Sequence, residues 1–266
     1  MSWSRPEAGA SVLALAFGVA LLVAERRWPL RGSTHNQVQR LPSNLVHGAL
    51  AGVAHALTTA PVTRALVERY PCGIGYALPA GIRPLATFVL LDLTFWAWHL
   101  ANHQLRPLWS LHVAHHRDPD MDMTTAVRFH PAEILLGALH RAAQIIVIGP
   151  TRRDLALYDA AFQAAVLFHH SNVRVPGDHA LSAVLVTPRT HGIHHDLALG
   201  HTNLGVVLTI WDRVFGTYAR DIPQEVLHIG ALPLVATRHT SPPPAVRLRP
   251  RESRGRIDHL PRERVR

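Results

Sequence analysis

His191-Gly192-Ile193-His194-His195 is the stretch on which the reading of this chain turns. On a helix its three imidazoles stand at i, i+3 and i+4, on one face and aimed at one point. The same spacing recurs at His112, His115 and His116, and His99 and His103 lie one helical turn apart just before them. A single histidine on a helix face is ordinarily a plain polar residue. Three clusters in one chain ask for a common cause. Neighbouring protonated imidazoles repel, and neutral ones need partners when buried. A metal ion satisfies them all. A structural zinc site closes with four ligands, usually including cysteine. Here the eight histidines exceed what one such ion takes, and the single Cys72 lies outside the clusters. Two ions in an all-imidazole shell fit better, although ligand type does not choose among iron, zinc, copper and nickel.

The sequence around the clusters reads as membrane helices. Apolar residues make up 48% of the 266 positions, enough for a sizeable core without deciding the class. All 27 basic residues are arginine, which reads as coding bias rather than chemistry, and one cysteine excludes a disulfide framework. Ala8–Ala24 is a run of 17 uncharged residues that meets Glu25-Arg26-Arg27, with Arg31 and Arg40 close behind. This predicts a membrane anchor with its arginine-rich end in the cytoplasm, rather than a cleaved leader. Leu41–Thr63 is a second expected span and Leu85–Leu100 a third, joined by an irregular loop over Arg64–Arg83. Asp92 falls in the middle of the third span. Such a residue faces the protein interior, either as a buried hydrogen-bonding post or as an outer partner of a ligand histidine.

Beyond the polar segment Arg106–Arg128, Pro131 and Glu133 suit the first turn of a new helix. Ile134–Gly149 is apolar except for His140-Arg141, and Leu155–Phe168 is apolar except for Asp159. Both are short for a full crossing, so a re-entrant hairpin turning at Pro150–Asp154 and two spans are equally open. Either way His169-His170-Ser171-Asn172 returns to the face that holds His99–His116, and every histidine cluster gathers on the cytoplasmic side. The tail Arg238–Arg266 carries nine arginines, three acidic residues and Pro242-Pro243-Pro244, with no periodic apolar face. It is expected to be disordered, and two readings stay open: it lies against anionic headgroups rather than nucleic acid, or it is a solvated tail with no role. Three segments follow: N-terminal membrane helices over 1–83, a histidine-box unit over 84–220 and an extension over 221–266.

His99-Leu-Ala-Asn-His103, His112-Val-Ala-His115-His116 and His191-Gly-Ile-His194-His195 resemble the three histidine boxes of the fatty acid hydroxylase/sterol desaturase superfamily. The flanking text agrees: Leu108-Trp109-Ser110-Leu111, Thr124 through Glu133, His170-Ser171-Asn172, Thr187-Pro188-Arg189 and Trp211 through Thr217. The resemblance covers about Thr87–Tyr218. The spacer from His195 to Asn203 is slightly short, and the first box lacks the family's usual aromatic pair and following arginine. The resemblance implies an all-α integral membrane bundle with four or five membrane-embedded helices in the bacterial inner membrane. It implies a di-iron centre at the cytoplasmic face that uses O2 to hydroxylate or desaturate a lipid, fatty acyl or sterol-like chain. The ligands carried over are His99, His103, His112, His115, His116, His191, His194 and His195, with His170 as the ninth. His169 falls where the family has a non-ligand. Asp92, His130, Asn172 and Asn203 are candidate outer partners, with a capping reading open for His130. The lipid enters from the bilayer. Electrons come from a separate ferredoxin-, rubredoxin- or cytochrome-like protein, since no flavin, haem or iron–sulfur motif appears.

Two rival readings stay open at this stage. One is a carotenoid hydroxylase of the same metal type. The other is a non-redox membrane metal-binding protein, for which transport favours ligands at mid-membrane in broken helices. Arg106, Arg117, Arg128, Arg189, Arg213 and Arg220 lie near the boxes, available to an acidic donor protein, to headgroups, or to internal pairing with Asp118, Asp120, Asp122 and Asp212.

Overall fold

The computed structural model describes residues 5–230 apart from Thr34, Asn36 and Leu197, with side chains from Ala16 onward. The tail from Arg238 lies outside the described residues. Helices form nearly all of the regular structure. Among the described residues, extended backbone pairs only at isolated bridges, such as Pro29 with Val173 and Asp196 with Ile229.

Helix α1 runs Arg5–Arg27, α2 Gln37–Leu57 and α3 Thr59–Arg69. The expected second span therefore breaks at Thr58. Pro61 has no N–H to offer the carbonyl of Leu57 one turn back, and its ring crowds that carbonyl. The stretch read as irregular is also more ordered than expected. Arg64–Arg69 completes α3, and Ile74–Ala77 forms the single turn α4. Helix α5, Arg83–Gln104, starts with Pro84 in its first turn and ends at Leu105, whose extended backbone redirects the chain into α6, Arg106–His116. A 3-10 turn over Met123–Val127 follows, capped by Asp122.

Helices α7, Pro131–Ile148, and α8, Arg152–His170, form the hairpin. Its turn comes earlier than the sequence predicts, at Gly149–Thr151. Gly149 ends α7 with φ 64°, a left-handed conformation that glycine adopts freely, while Thr151 and Asp154 cap α8 reciprocally. Short helices α9 (Asp178–Leu181), α10 (Pro188–His194) and α11 (Ile210–Phe215) follow, and a 3-10 turn over Gln224–Val226 completes the order.

By length and composition, three stretches among the described residues are able to cross a membrane: Gln37–Ala77, Arg83–Gln104 and Pro131–Ile148. Their outward faces are apolar. Leu57 is 74% exposed and Leu139 70%, whereas Arg40 in the same bundle is only 7% exposed. Apolar residues outside and polar residues inside are what a lipid-facing helix surface requires. One core cluster joins Leu91, Ile145, Ile148, Leu155 and Tyr158 between α5 and the hairpin. A second joins Ala126, Val166 and Val206, nearer the histidines.

Candidate metal centre

On α5, Trp96, His99 and His103 fall on one buried stripe, because steps of three and four residues keep side chains on one helix face. Helix α6 presents His112, His115 and His116 beside them, and α8 delivers His170 at its last turn. Thr187 caps α10 reciprocally with Thr190, which fixes where His191 and His194 start. His195 follows as the C-cap residue with helical backbone angles. Within α10, Gly192 has a packing reason: a Cβ there would run into Nη1 of Arg31. That nitrogen donates to the Pro188 carbonyl at 3.1 Å and to Gln224 Oε1 at 2.7 Å.

The histidines form two groups rather than one. His99, His103, His112, His116 and His194 bring one nitrogen each within 4.8 Å of one another, and so do His115, His170, His191 and His195. All nine rings are buried. The expectation that each triplet aims at one point is thus corrected. Residues i and i+4 stay together, while residue i+3 crosses to the other group. At about 100° per residue, i+3 and i+4 diverge to opposite sides of i.

Polar acceptors behind the rings orient them. Nδ1 of His99 bonds the Leu204 carbonyl at 2.8 Å, His194 the Thr202 carbonyl at 2.8 Å, His115 the Arg128 carbonyl at 3.2 Å and His170 the Val166 carbonyl at 2.7 Å. A carbonyl only accepts, so these Nδ1 atoms carry the proton and each Nε2 presents a lone pair. Nε2 of His115 and of His170 nevertheless face each other at 3.0 Å. Two lone pairs at that distance repel unless a cation lies among them. Elsewhere Nε2 of His112, His116 and His194 and both nitrogens of His103 and His195 are buried without any partner among the described residues. Burial first, and neighbouring imidazoles second, push His115, His116, His194 and His195 well below the ordinary histidine pKa. Neutral, convergent, unsatisfied imidazoles are the donor set that a late first-row metal ion takes.

The candidate outer partners sort differently. Asp92 bonds no histidine. It accepts from the Val207 and Leu208 amides and, at 2.9 Å, from Trp211 Nε1, so the post reading holds. It thereby anchors the loop that also supplies the Leu204 carbonyl, and Asp212 holds the same loop by accepting from Leu204 N and Gly205 N. His130 is the N-cap of α7, its Nδ1 accepting from Ala132 N. Asn172 exchanges hydrogen bonds with the backbone of Arg31, and Asn203, at φ 51°, donates to the carbonyls of Thr190 and Ala219. Both of these tie segments together without touching a ring nitrogen. His169 belongs to neither group and bonds the Val206 carbonyl through Nδ1.

Sequence reasoning missed two contributors. Glu133, read as a helix-start residue, bonds Nδ1 of His112 at 2.8 Å. Arg40, read as a charge marking the cytoplasmic side, is buried in a clamp on the loop after His116. Its Nε and Nη2 reach the two carboxylate oxygens of Asp118 at 2.6 and 2.8 Å, and Nη1 reaches Asp122 at 2.9 Å. Arg128 is likewise taken up internally, by the Ala114 carbonyl, Ser43 and Asn44, so its guanidinium is not free for a donor protein.

Residues 84–217, which include every clustered histidine, match the family described as fatty acid hydroxylase. Ornithine lipid hydroxylase OlsE of Rhizobium tropici is 24% identical over 214 residues, covering 78% of this chain and 64% of that protein. Alkylglycerol monooxygenase of Homo sapiens is 26% identical over 138 residues, covering 50% of this chain and 30% of that protein. The Danio rerio alkylglycerol monooxygenase is 27% identical over 138 residues, 50% of this chain and 29% of its own length. The chain therefore spans less than two thirds of the length of these relatives. No solved structure matches it. With its whole histidine array inside the matched segment, the chain belongs to the fatty acid hydroxylase family.

Proposed function

We propose that this chain is a membrane-embedded, O2-dependent hydroxylase of a lipid, with two iron ions held by its nine clustered histidines. His99, His103, His112, His116 and His194 would hold one ion, and His115, His170, His191 and His195 the other. The observation that carries this reading is the pair of buried imidazole groups, in which Nε2 of His112, His116 and His194 and both nitrogens of His103 and His195 lack partners among the described residues. Bound iron supplies O2 activation and the oxidising power to attack an unactivated C–H bond.

The chain's own residues do the rest. Carbonyls of Thr202, Leu204, Arg128 and Val166 fix ring tautomers, so that each ring presents a lone pair inward. Phe129 stacks on His115 with ring centroids 4.6 Å apart, and Trp109 lies 5.1 Å from His103. These rings help keep water away from the donor set. The apolar outer faces of α2 and α7 suit a substrate that arrives by lateral diffusion in the bilayer. Relatives named as hydroxylases and monooxygenases favour an alcohol product over an alkene. Arg26 and Arg27 at the end of α1 support placing the histidine end at the cytoplasmic side of a bacterial inner membrane. There a separate ferredoxin-, rubredoxin- or cytochrome-like protein would deliver electrons. Metal analysis of anaerobically purified, active protein tests the reading. About two irons per chain with O2-dependent turnover is expected; a single zinc without turnover would sink it and favour a non-redox metal-binding protein.

A further inference from the structure

A cavity of about 340 Å³ lies between the α2–α3 pair and the α7–α8 hairpin, lined in part by Thr59, Thr63, Arg64, Arg141, Arg152 and Asp159. His55 also lines it, but the cavity is remote from the nine clustered histidines. Asp159 and His170 share α8 and stand eleven residues apart, about 16 Å along the axis. Arg141 and Asp159 are the charges that interrupt otherwise apolar stretches of the hairpin, and ionisable groups at such positions ordinarily mark a function.

The charges in this cavity do not cancel. Its lining holds three arginines and one carboxylate. Arg152 pairs with Glu68, and Nη2 of Arg141 donates to Asp159 Oδ1 at 2.7 Å. Nη1 of Arg141 is buried and has no hydrogen-bond partner among the described residues. Among the described residues Arg64 enters no ion pair. What remains is one uncompensated positive charge, one unmet guanidinium donor and two threonine hydroxyls one helical turn apart. Val67, Leu155 and Ala156 supply apolar wall beside them. A ligand for this set must bring several acceptor oxygens, a negative charge and an apolar extension.

We propose that the cavity binds the phosphate group of an anionic phospholipid, with Arg64 and Arg141 as its cationic contacts. Guanidinium forks match phosphate oxygens, and basic pockets between membrane helices hold acidic headgroups. Glycerol and the first acyl carbons would lie along Leu155 and Ala156.

The test uses the full chain in detergent after lipid removal, with and without metal loading, and reads thermal unfolding against added lipid. Phosphatidylglycerol is expected to raise the unfolding temperature, while phosphatidylcholine does so much less. Arg64→Gln, an exposed position whose replacement spares the packing, should weaken the apparent affinity about tenfold, and so should Arg141→Gln. Asp159→Asn should tighten binding, because it frees Arg141. Equal stabilisation by both lipids, or an unaltered response in Arg64→Gln, overturns the proposal. Inorganic phosphate that reproduces the full shift also overturns it, since the site would then take a free anion. None of these readings uses turnover or depends on bound metal, so failure here leaves the metal-centre proposal intact.

Discussion

Glu133 Oε1 lies 2.8 Å from Nδ1 of His112, and both side chains are buried. This carboxylate stands behind its imidazole as the Leu204 carbonyl stands behind His99. A carboxylate in that place fixes the tautomer and makes the ring a better donor. Glu133→Ala is therefore expected to lower metal affinity about 10- to 100-fold, with Glu133→Gln retaining part of it. Competition titration against a chelator reads this. Unchanged affinity in Glu133→Ala would mean that the contact serves only folding.

Arg40 and Asp118 carry the second prediction. Breaking a buried, hydrogen-bonded ion pair by removing one partner costs about 3–5 kcal/mol, because the other charge stays behind. Arg40→Ala and Asp118→Ala should each lower the unfolding temperature markedly. The double variant should lose much less than the sum, since the two act as one unit. Strict additivity would show that the clamp is not coupled.

A third prediction concerns acid. His115, His116, His191, His194 and His195 sit well below the ordinary value of 6.5 in the folded chain, chiefly through burial. Below pH 6.5 the unfolded chain takes up protons that the folded chain refuses. Folded stability of metal-stripped protein should thus fall as pH drops through 6.5 and be insensitive to these groups above it. Each histidine contributes up to about 1.4 kcal/mol per pH unit. An unfolding midpoint that stays level or rises between pH 7 and pH 5 contradicts the neutral, buried array.

His169 and His170 are adjacent on α8, and although the His169 ring packs 4.0 Å from that of His191, only His170 enters a group of convergent ring nitrogens. His170→Ala should retain about one metal fewer per chain and lose activity. His169→Ala should keep its metals, because its bond to the Val206 carbonyl orients a loop and not an ion. Equal metal loss in both would place His169 in the centre too.

The family and the helical architecture were legible because box spacing and apolar runs are local signals. The division of labour within a box was not read, although the signal was there: a helical step of three residues and one of four point to opposite sides. Glu133 could not be found from spacing, since its partner lies 21 positions away and an acidic residue in a helix's first turn already has a local explanation. Arg40 was hidden the same way, because an arginine after an apolar run reads as a topology mark. Its role depends on Asp118, which folding alone brings near. Thr58 marks a smaller miss, where Pro61 interrupts a span that hydropathy alone draws as continuous.

The most direct test of the central claim is the fate of molecular oxygen. Cells making the protein, and cells making His194→Ala, are grown under ¹⁸O₂ and their lipids compared by mass spectrometry. The account predicts a hydroxylated lipid that appears only with the intact protein and carries one ¹⁸O atom in the new hydroxyl group. The same product with unlabelled oxygen, or an identical lipid profile in both cultures, would contradict it.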